Sequence, residues 1–591
     1  MQIAQTTTLP ELFQARVAAT PDLIAYRQFD ATANDWKPAT WQQMQEKVAQ
    51  YQQALQQEKL HKGDRIAIWL RNCMEWVCLD QAALALGFVV VPLYTDDRAE
   101  NCAYILENAN AKLLLLGTAD QWASLAPVQE QLRGVQRIVS VVAITSDDAR
   151  LQCLPDWLQV TPSDVLQPDI HPQDIATIVY TSGTTGRPKG VILTHHNILW
   201  NAKACLLQCP VFEDDVLLSF LPLSHTFERT VGYYAAMAAG AMVNYARSIP
   251  QLGEDLQAIR PTMMISVPRI FERVYAKIQN QLEQKSPFAK KLFLLTVEVG
   301  WKRFLYQQRR GGWSPRFLLW PLLHQIVAKK VLAKLGGRLR AAISGGAALN
   351  PAIAKFFIGL GVPLIQGYGL TESSPVLTAN KIDDNIPSSV GLPIVDVEIH
   401  IADNGELLVR SPGVTQGYWK NEEATRQLID QEGWLHTGDK ACIDEGHVFI
   451  TGRLKEIIVL ANGEKVPPCD MEAAISLDPL FEQVMVLGEA KPYLTAIITL
   501  DPEHWTRFAQ AVGCNAEDPA SLTNSAILSE VLKRIAMQLH AFPGYAQIRR
   551  VNIQTEAWTV DNRLLTPTMK LRRAPIAERF ATEIERLYAG H

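Results

Sequence analysis

The chemistry open to this chain is indicated first by residues 180–190, which read YTSGTTGRPKG. Small residues let backbone N–H groups and hydroxyls close around phosphate oxygens, and Arg187 and Lys189 add positive charge. A Walker A motif has a serine or threonine after its lysine, whereas here Gly190 follows Lys189. The segment therefore predicts a phosphate-binding loop of another class, with an ordinary Gly/Thr-rich turn as the alternative for the segment taken alone.

Four later patches carry the residue types that a nucleotide site needs. They are 366–372 (QGYGLTE), 433–439 (GWLHTGD), 451–456 (TGRLKE) and 565–570 (LTPTMK). The ring of Tyr368 could stack on a purine, the hydroxyl of Thr371 could contact a phosphate, and Glu372 could bind Mg²⁺. Asp439 could accept the ribose hydroxyls, although aspartate is also common in turns. Each residue alone has a structural explanation, but five patches in one order form a more specific signal.

Alternating strands and helices must position these patches. Residues 64–70 and 88–93 have strand-like patterns on either side of a helical pattern at 73–86. Similar alternation recurs at 100–116, 197–221 and 339–365, where Gly345 and Gly346 follow a strand. A dinucleotide fold is a weaker interpretation of that glycine pair, because GxGxxG is absent. The alternation predicts layered α/β sheets, and short strands beyond Gly391 precede a final section of mixed strand and helix.

Length and composition limit the classes of protein. A chain of 591 residues is expected to form two or more domains, and 48% hydrophobic with 20% charged residues is typical of soluble globular proteins. We expect no signal peptide and no spanning helix. The nine cysteines never form CxxC, which favours reduced thiols in the cytoplasm. The net charge of −5 argues against a nucleic-acid-binding protein.

Residues 269–340 differ from the rest of the chain, since they contain 16 Lys and Arg against three Glu. Trp301, Trp313 and Trp320 are interleaved with Phe and Leu in this helical pattern. One interpretation is a helical insertion that packs on the core and has a solvated basic face. The other is peripheral contact with an anionic membrane, to which each basic residue near the surface contributes about 1 kcal/mol.

Taken together, the five patches resemble the adenylate-forming (AMP-binding) superfamily over essentially the whole chain. Residues 221–229 (LPLSHTFER), 260–273 and 452–468 (GRLKEIIVLANGEKVPP) resemble its long-chain fatty acyl-CoA synthetase family. The resemblance implies a luciferase-like fold with a large N-terminal domain of layered α/β sheets and a small β-rich subdomain. It implies an AMP-binding domain at 1–452 with the basic helical insertion at 269–340, a hinge at 453–455, and a small mobile α+β C-terminal domain at 456–591.

The resemblance also implies a reaction. In this family a carboxylate attacks the α-phosphate of ATP to give an acyl-adenylate and pyrophosphate, and the thiol of coenzyme A then displaces AMP. The implied protein is a cytoplasmic long-chain-fatty-acid–CoA ligase that uses ATP, Mg²⁺ and coenzyme A. Peripheral contact with the inner face of a membrane is the further expectation that rests on the basic segment 269–340. The alternatives are an acyl-acyl carrier protein synthetase, a fatty acyl-AMP ligase and, from a different class, a non-catalytic lipid-binding protein of the same fold.

The residue roles follow from the same resemblance. The β- and γ-phosphates would be held by Thr181, Ser182, Gly183, Thr184, Thr185, Gly186 and Lys189. The adenine side of the nucleotide site would comprise Gly345, Gly346, Gln366, Gly367, Tyr368 and Gly369, and the ribose would be held by Asp439 and Arg453. Thr371 would contact the α-phosphate, Glu372 would bind Mg²⁺, and Lys570 would be the adenylation lysine. Lys455 occupies the hinge, and the loop at Gly463 would help to admit the pantetheine arm. His225 would lie beside the carboxylate at the mouth of the acyl tunnel, with a core histidine as the alternative.

Overall fold

Two large sheets form the first part of the computed structural model, which describes residues 3–159, 168–181, 187–454 and 456–589. Their strands are β1 (Ile24–Asp30), β2 (Asp35–Thr40), β3 (Arg65–Trp69), β4 (Val89–Pro92), β5 (Ala111–Leu116), β6 (Arg137–Ser140), β7 (Leu151–Cys153), β8 (Ile175–Thr181), β9 (Lys189–Thr194), β10 (Val216–Ser219), β11 (Met242–Tyr245), β12 (Met263–Ser266), β13 (Ala341–Ser344), β14 (Leu364–Gly369), β15 (Val376–Ala379) and β16 (Leu392–Pro393). One sheet has the order β7-β6-β5-β3-β4-β8-β9, and the other has the order β16-β15-β14-β13-β12-β10-β11-β1-β2.

Helices connect and cover these sheets. They are α1 (Leu9–Ala19), α2 (Trp41–Gln57), α3 (Met74–Ala85), α4 (Ala99–Ala109), α5 (Ala119–Ser124), α6 (Leu154–Trp157), α7 (His195–Gln208), α8 (Ala236–Ala239), α9 (Leu252–Ile259), α10 (Pro268–Glu283), α11 (Pro287–Gln307), α12 (Trp320–Leu323), α13 (Lys329–Lys334), α14 (Pro351–Gly359) and α15 (Glu422–Leu428). Local sequence fixes several starts; at α7, for example, Thr194 and Asn197 form a reciprocal capping box. The predicted alternation at 64–93 is confirmed by β3, α3 and β4.

The parallel strands explain where the motifs meet. Strands β10, β12, β13 and β14 run parallel to one another, so their carboxyl ends share one edge of the sheet. That edge carries the glycine pair after β13 and residues 369–372 after β14. In the other sheet β8 is parallel to β4 and pairs antiparallel with β9, so the phosphate segment joins the two strands of a hairpin. Ligands of open α/β sheets bind outside such carboxyl ends.

The predicted basic insertion at 269–340 is helical but is not one continuous element. It contains α10 and α11, followed by short helical pieces that include α12 and α13. Pro315 and Pro321 each stand in the first turn of one of these pieces, where a missing N–H costs least. None of the described helices is long and apolar enough to cross a membrane.

A buried ion pair joins the helix α3 to the π-helical segment Glu228–Ala235. Asp80 and Arg229 form this pair, and their side chains are 0% and 2% exposed. Tyr234 donates to the second carboxylate oxygen of Asp80 at 2.8 Å, and Arg229 donates through Nη1 to the hydroxyl of Thr177 at 2.8 Å. Because Thr177 belongs to β8, this cluster connects the segment after His225 to the strand that leads into the phosphate loop.

The last part of the chain contains three smaller sheets. Their strands are β17 (Glu398–Ile401), β18 (Glu406–Arg410), β19 (Leu435–Asp444), β20 (His447–Arg453), β21 (Ile458–Val459), β22 (Lys465–Val466), β23 (Phe481–Leu487), β24 (Leu494–Leu500) and β25 (Ile548–Gln554), and the helices are α16 (Pro468–Ile475), α17 (Pro502–Ala511), α18 (Ser525–Gln538), α19 (Arg573–Arg579) and α20 (Ala581–Tyr588). Strands β17–β20 form an antiparallel sheet, and β23–β25 have a hydrophobic core of their own with α16–α18. The predicted α/β fold class, with a large N-terminal and a small C-terminal part, is confirmed.

Candidate active site

A cleft of about 2450 Å³ lies at the carboxyl edges of the strands, between the large sheets and the C-terminal section. Most predicted site residues in the described part of the chain line it: His225, Thr181, Lys189, Gly345, Gly346, Gly367, Tyr368, Gly369, Thr371, Glu372, Asp439, Arg453 and Lys570. Six predicted residues, namely Ser182, Gly183, Thr184, Thr185, Gly186 and Lys455, lie outside the described residues. The structure therefore brings together motifs that are separated by up to 390 positions in the sequence.

Two predicted residues do not line the cleft. The side chain of Gln366 is 6% exposed, and its Oε1 accepts a hydrogen bond from the backbone of Leu349 at 3.0 Å. Its amide donates to the carbonyl of Pro387, so this side chain holds neighbouring loops together. Gly463 lies in the turn between β21 and β22 with a φ of +86°, a conformation that favours glycine.

Two aromatic rings flank the arms of the phosphate loop. Lys189 is opposite Thr181 in the β8–β9 hairpin, and its ammonium lies 5.0 Å from the ring centre of Tyr418. Arg187 lies 5.2 Å from the ring centre of Tyr104. Cations are attracted to the faces of aromatic rings at such distances. Both cations of the loop are thus held in place at the wall of the cleft.

The side chains predicted to hold the ribose are organised around Asp439. Tyr368 donates its hydroxyl to Asp439 Oδ2 at 2.6 Å, and Nε of Arg453 lies 3.0 Å from Asp439 Oδ1. The two residues are brought together by the sheet, because Asp439 of β19 is paired directly with Arg453 of β20. Burial and the nearby Asp439 carboxylate raise the pKa of Tyr368, which keeps the hydroxyl a donor.

The glycine pair at the end of β13 has a packing reason. A Cβ atom on Gly345 would lie 2.8 Å from the ring of Phe227, closer than real Cβ atoms approach their neighbours. Gly346 has a φ of +79°, which favours glycine. This wall of the cleft therefore requires small residues, and the backbone of the glycine pair could pack against a flat aromatic ring.

Thr371 and Glu372 line the cleft next to each other. The hydroxyls of Thr371 and Thr226 lie 3.4 Å apart and share a hydrogen bond. Oε1 of Glu372 accepts a hydrogen bond from the hydroxyl of Tyr418 at 2.7 Å. A carboxylate and a hydroxyl thus lie side by side where β14 ends, next to the cations of the phosphate loop.

Lys570 enters the cleft from the C-terminal section on a tight turn. The backbone N–H of Thr566 donates to the carbonyl of Lys570 at 2.8 Å, and the N–H of Lys570 donates to the Thr566 hydroxyl at 3.0 Å. The side chain is exposed to the cleft, but the walls displace much of the surrounding water. This desolvation, together with the charge of Arg453, lowers the pKa of Lys570, while Asp439 and the acidic residues Glu456 and Glu372 oppose the shift.

His225 lies beside an apolar part of the cleft. Its Nδ1 accepts a hydrogen bond from the N–H of Phe227 at 3.1 Å. Burial, and to a lesser extent Lys570, lowers the pKa of His225 to about 4, so the ring is neutral near pH 7. Phe227, Val231 and Ala235 follow one another at intervals of four residues and line the apolar wall.

Comparison with protein families gives matches over almost the whole chain. Residues 13–419 match the model of the AMP-binding enzyme family, and residues 455–591 match that of the AMP-binding enzyme C-terminal domain. The chain belongs to the AMP-binding enzyme family. One relative, the long-chain-fatty-acid–CoA ligase FadD15 of Mycobacterium bovis, is 35% identical to this AMP-binding enzyme over 89% of this chain and 88% of its own length. Long-chain-fatty-acid–CoA ligase 5 of Rattus norvegicus is 30% identical over 98% of this chain and 88% of its own.

Solved structures show the same fold at lower identity. The adenylation domain of a carboxylate reductase from Mycobacterium chelonae has a TM-score of 0.79 and 22% identity, with 98% of this AMP-binding enzyme and 91% of that chain covered. The o-succinylbenzoate CoA synthetase of Bacillus subtilis, in complex with an acyl-adenylate intermediate, has a TM-score of 0.69 and 19% identity, with 96% and 98% covered. The predicted family is therefore confirmed, and so is its fold.

Some residues of this AMP-binding enzyme that touch the site were missed from sequence. Tyr418 and Tyr104 carry the two loop cations, and Thr226 was noted only as part of a longer phrase. The GYW sequence at 417–419 was an available signal, because two large aromatic residues follow a glycine between polar neighbours. Nothing in the sequence links Tyr104 to Arg187, which lies 83 positions away.

Proposed function

We propose that this AMP-binding enzyme converts a long-chain fatty acid and coenzyme A, with ATP, into the acyl-CoA thioester, AMP and pyrophosphate. The observation that supports this most strongly is the convergence of Lys570, Glu372 and the Asp439–Arg453 pair on one cleft that continues into an apolar wall behind His225. The names of relatives with 30–35% identity point to the same activity.

The first half-reaction forms a bond between a carboxylate oxygen and the α-phosphorus of ATP and breaks the bond to pyrophosphate. Negative charge spreads over the phosphate oxygens as this happens, so preorganised cations and donors lower the barrier. Lys570, Lys189 and the hydroxyl of Thr371 are the groups in the described chain that we assign to this task. Thr181 and the backbone of Gly367 and Gly369 complete the nucleotide wall on either side.

Glu372 fits a magnesium ion that is held mainly by nucleotide phosphates. Mg²⁺ in nucleotide sites is usually bound by one or two carboxylates together with phosphate oxygens and water. Glu372 supplies one carboxylate at the cleft wall, and one of its oxygens is oriented by Tyr418. When bound there, the ion would neutralise part of the charge on the phosphates.

The apolar wall of the cleft is an argument for a substrate with a long acyl chain. His225 is neutral near pH 7, so it can donate a hydrogen bond to the fatty acid carboxylate without forming an ion pair that would weaken the nucleophile. Each buried CH₂ group contributes about 0.8 kcal/mol, so a long chain supplies much of the binding free energy. The apolar residues near Phe227 fit this part of the substrate.

The second half-reaction passes the acyl group to a thiol and releases AMP. Lys570 lies on the C-terminal section, so rotation of residues 456–591 about a hinge at 453–455, relative to 1–452, would withdraw it after adenylation. The turn at Gly463 would then face the thiol arm. Coenzyme A is the acceptor we propose; an acyl carrier protein and release of the adenylate itself are the alternatives, and a lipid-binding protein without activity is the alternative of another class.

The proposed activity is tested by paired measurements on the purified protein with ATP, Mg²⁺ and fatty acids of graded length. Pyrophosphate release reports adenylation, and thioester analysis with coenzyme A or holo-acyl carrier protein reports the acceptor. We expect thioester on coenzyme A, with the highest rates for long chains. Pyrophosphate release without a coenzyme A thioester would favour transfer to an acyl carrier protein or release of the adenylate itself. No pyrophosphate and no thioester would favour a lipid-binding protein without activity.

We also propose that the helical segment 269–340 contacts an anionic membrane from the cytoplasmic side. Large apolar side chains are exposed along it: Phe288 is 76% exposed, Trp313 61%, Leu318 76% and Leu322 60%. Lys291 and Lys302 of α11 and Lys329 and Lys330 of α13 are exposed as well, so the segment combines apolar side chains with positive charge. That combination is typical of peripheral attachment to anionic lipid.

Replacing Leu318 and Leu322 with serine is expected to lower binding to vesicles of anionic phospholipid by about tenfold, because two apolar contacts with the acyl boundary are lost. Co-sedimentation at low and high salt measures this. Leu207→Ser is the matched control, since Leu207 is 72% exposed on α7, outside this segment. Binding that depends on neither anionic lipid nor salt would contradict the proposal.

A further inference from the structure

The segment 412–419 connects the phosphate hairpin to the metal carboxylate. The N–H of Trp419 donates to the carbonyl of Gly190 at 2.7 Å, and the N–H of Ile192 donates to the carbonyl of Gly417 at 3.1 Å, so the segment pairs with β9. The N–H of Thr415 donates to the carbonyl of Glu372 at 2.8 Å. One stretch of backbone therefore fixes the distance between two parts of the site.

The side chain of Tyr418 touches a functional group on each side. Its hydroxyl donates to Oε1 of Glu372 at 2.7 Å, and its ring centre lies 5.0 Å from the ammonium of Lys189. The residue lines the cleft but is two-sided: one end is a hydrogen-bond donor, and the other is a flat aromatic face.

We propose that Tyr418 is a positioning residue that sets the Glu372 carboxylate for the metal and the Lys189 ammonium for the phosphates of ATP. The inference rests on the proposed function only in taking metal–ATP as the ligand of this cleft. The Tyr418 hydroxyl already holds Oε1 of Glu372. The Glu372 side chain therefore loses little further conformational freedom when Oε2 binds a cation. Residues that orient metal ligands typically change metal affinity by about 10- to 100-fold when they are replaced.

The chain supplies a matched control in Tyr545, which is 41% exposed and lies outside the cleft. Tyr545→Phe and Tyr418→Phe both keep the ring and lose the hydroxyl. The two variants differ in that only Tyr418 donates to Glu372.

The test is binding of ATP to the full-length protein by titration calorimetry, with Mn²⁺ as the probe metal and with EDTA in parallel. Tyr418→Phe is expected to weaken Mn²⁺–ATP binding by about tenfold and to leave metal-free ATP binding within about twofold of wild type. Tyr545→Phe is expected to leave both within about twofold. In the background of Glu372→Gln, Tyr418→Phe is expected to have no further effect on Mn²⁺–ATP binding.

Several results would overturn the inference. One is unchanged Mn²⁺–ATP affinity in Tyr418→Phe; another is an equal loss with and without metal; a third is wild-type affinity that does not increase when Mn²⁺ is added. Thermal melting of each variant without ligand identifies loss of folding. The binding test contains neither fatty acid nor coenzyme A, so its result does not depend on acyl transfer. A wild-type protein that binds Mn²⁺–ATP here but makes no thioester in the activity assay would contradict the proposed function and leave this inference standing.

Discussion

Lys570→Ala is expected to lower the rate of acyl-adenylate formation by a factor of about 100 to 1000 and to leave thioester formation from supplied acyl-adenylate close to the wild-type rate. The ammonium of Lys570 lies in the cleft within electrostatic reach of Asp439 and Glu372, which we assign to the ribose and to Mg²⁺. Removal of one preorganised group that stabilises transition-state charge typically costs about 3–4 kcal/mol in the barrier.

Single-turnover pyrophosphate release and coenzyme A-dependent release of AMP from synthetic acyl-adenylate separate the two half-reactions. Lys533→Ala is the control, because Lys533 is an exposed lysine on α18 of the same C-terminal section. An equal loss in both half-reactions would contradict the assigned role and would indicate a general effect on the C-terminal section. Unchanged pyrophosphate release would remove Lys570 from the chemistry altogether.

The pH dependence of the adenylation rate, measured for the wild type and for Lys570 variants, is a second test of the same role. Desolvation holds the pKa of Lys570 below its usual value of 10.5. The ammonium is present below that lowered pKa and is lost as the pH rises through it, so adenylation should decline at a lower pH than for an ordinary lysine. Lys570→Arg should move this decline to higher pH, since a guanidinium keeps its charge.

The sequence was most informative where chemistry is local. The phosphate segment, the Tyr368–Glu372 stretch and the lysine at 570 each combine reactive side chains within a few residues. The structure brings Lys570, the Tyr368–Glu372 stretch and the described ends of the phosphate segment, Thr181 and Lys189, to one cleft. Strands and helices such as β3, α3 and β4 were predictable for a similar reason, because their periodicity follows from which face is buried.

Sequence reasoning was weaker where a side chain acts through a distant partner. The family resemblance implies a nucleotide role for Gln366, but its side-chain amide bonds the backbone of Leu349 and Pro387 and does not line the cleft. Tyr418 was missed because its two partners lie 46 and 229 positions away. Propensity and local motifs contain no signal for such pairs, since only the packed sheets decide which loops become neighbours.

The same limitation applies to the core. Arg229 belongs to the 221–229 stretch that resembles the family, but its partner Asp80 in α3 is not predictable, because a single aspartate in an apolar helix has no local signature. In the structure this pair joins α3, the π-helical segment after His225 and, through Thr177, the strand that leads to the phosphate loop. A charge that looks misplaced in the sequence therefore holds together the elements on which the site is built.

Asp80→Ala is accordingly expected to reduce the free energy of unfolding by about 3–5 kcal/mol, because it leaves the guanidinium of Arg229 buried without its counter-charge. Tyr234 also loses its hydrogen-bond acceptor. Urea unfolding followed by tryptophan fluorescence measures the change. Glu130→Ala is the control, since Glu130 pairs with Arg133 at 88% exposure and its loss should be small. If the double variant Asp80→Leu/Arg229→Met regains most of the lost stability, the cost lies in the unpaired buried charge; a single variant as stable as Glu130→Ala would show that the pair is not needed to hold these elements together.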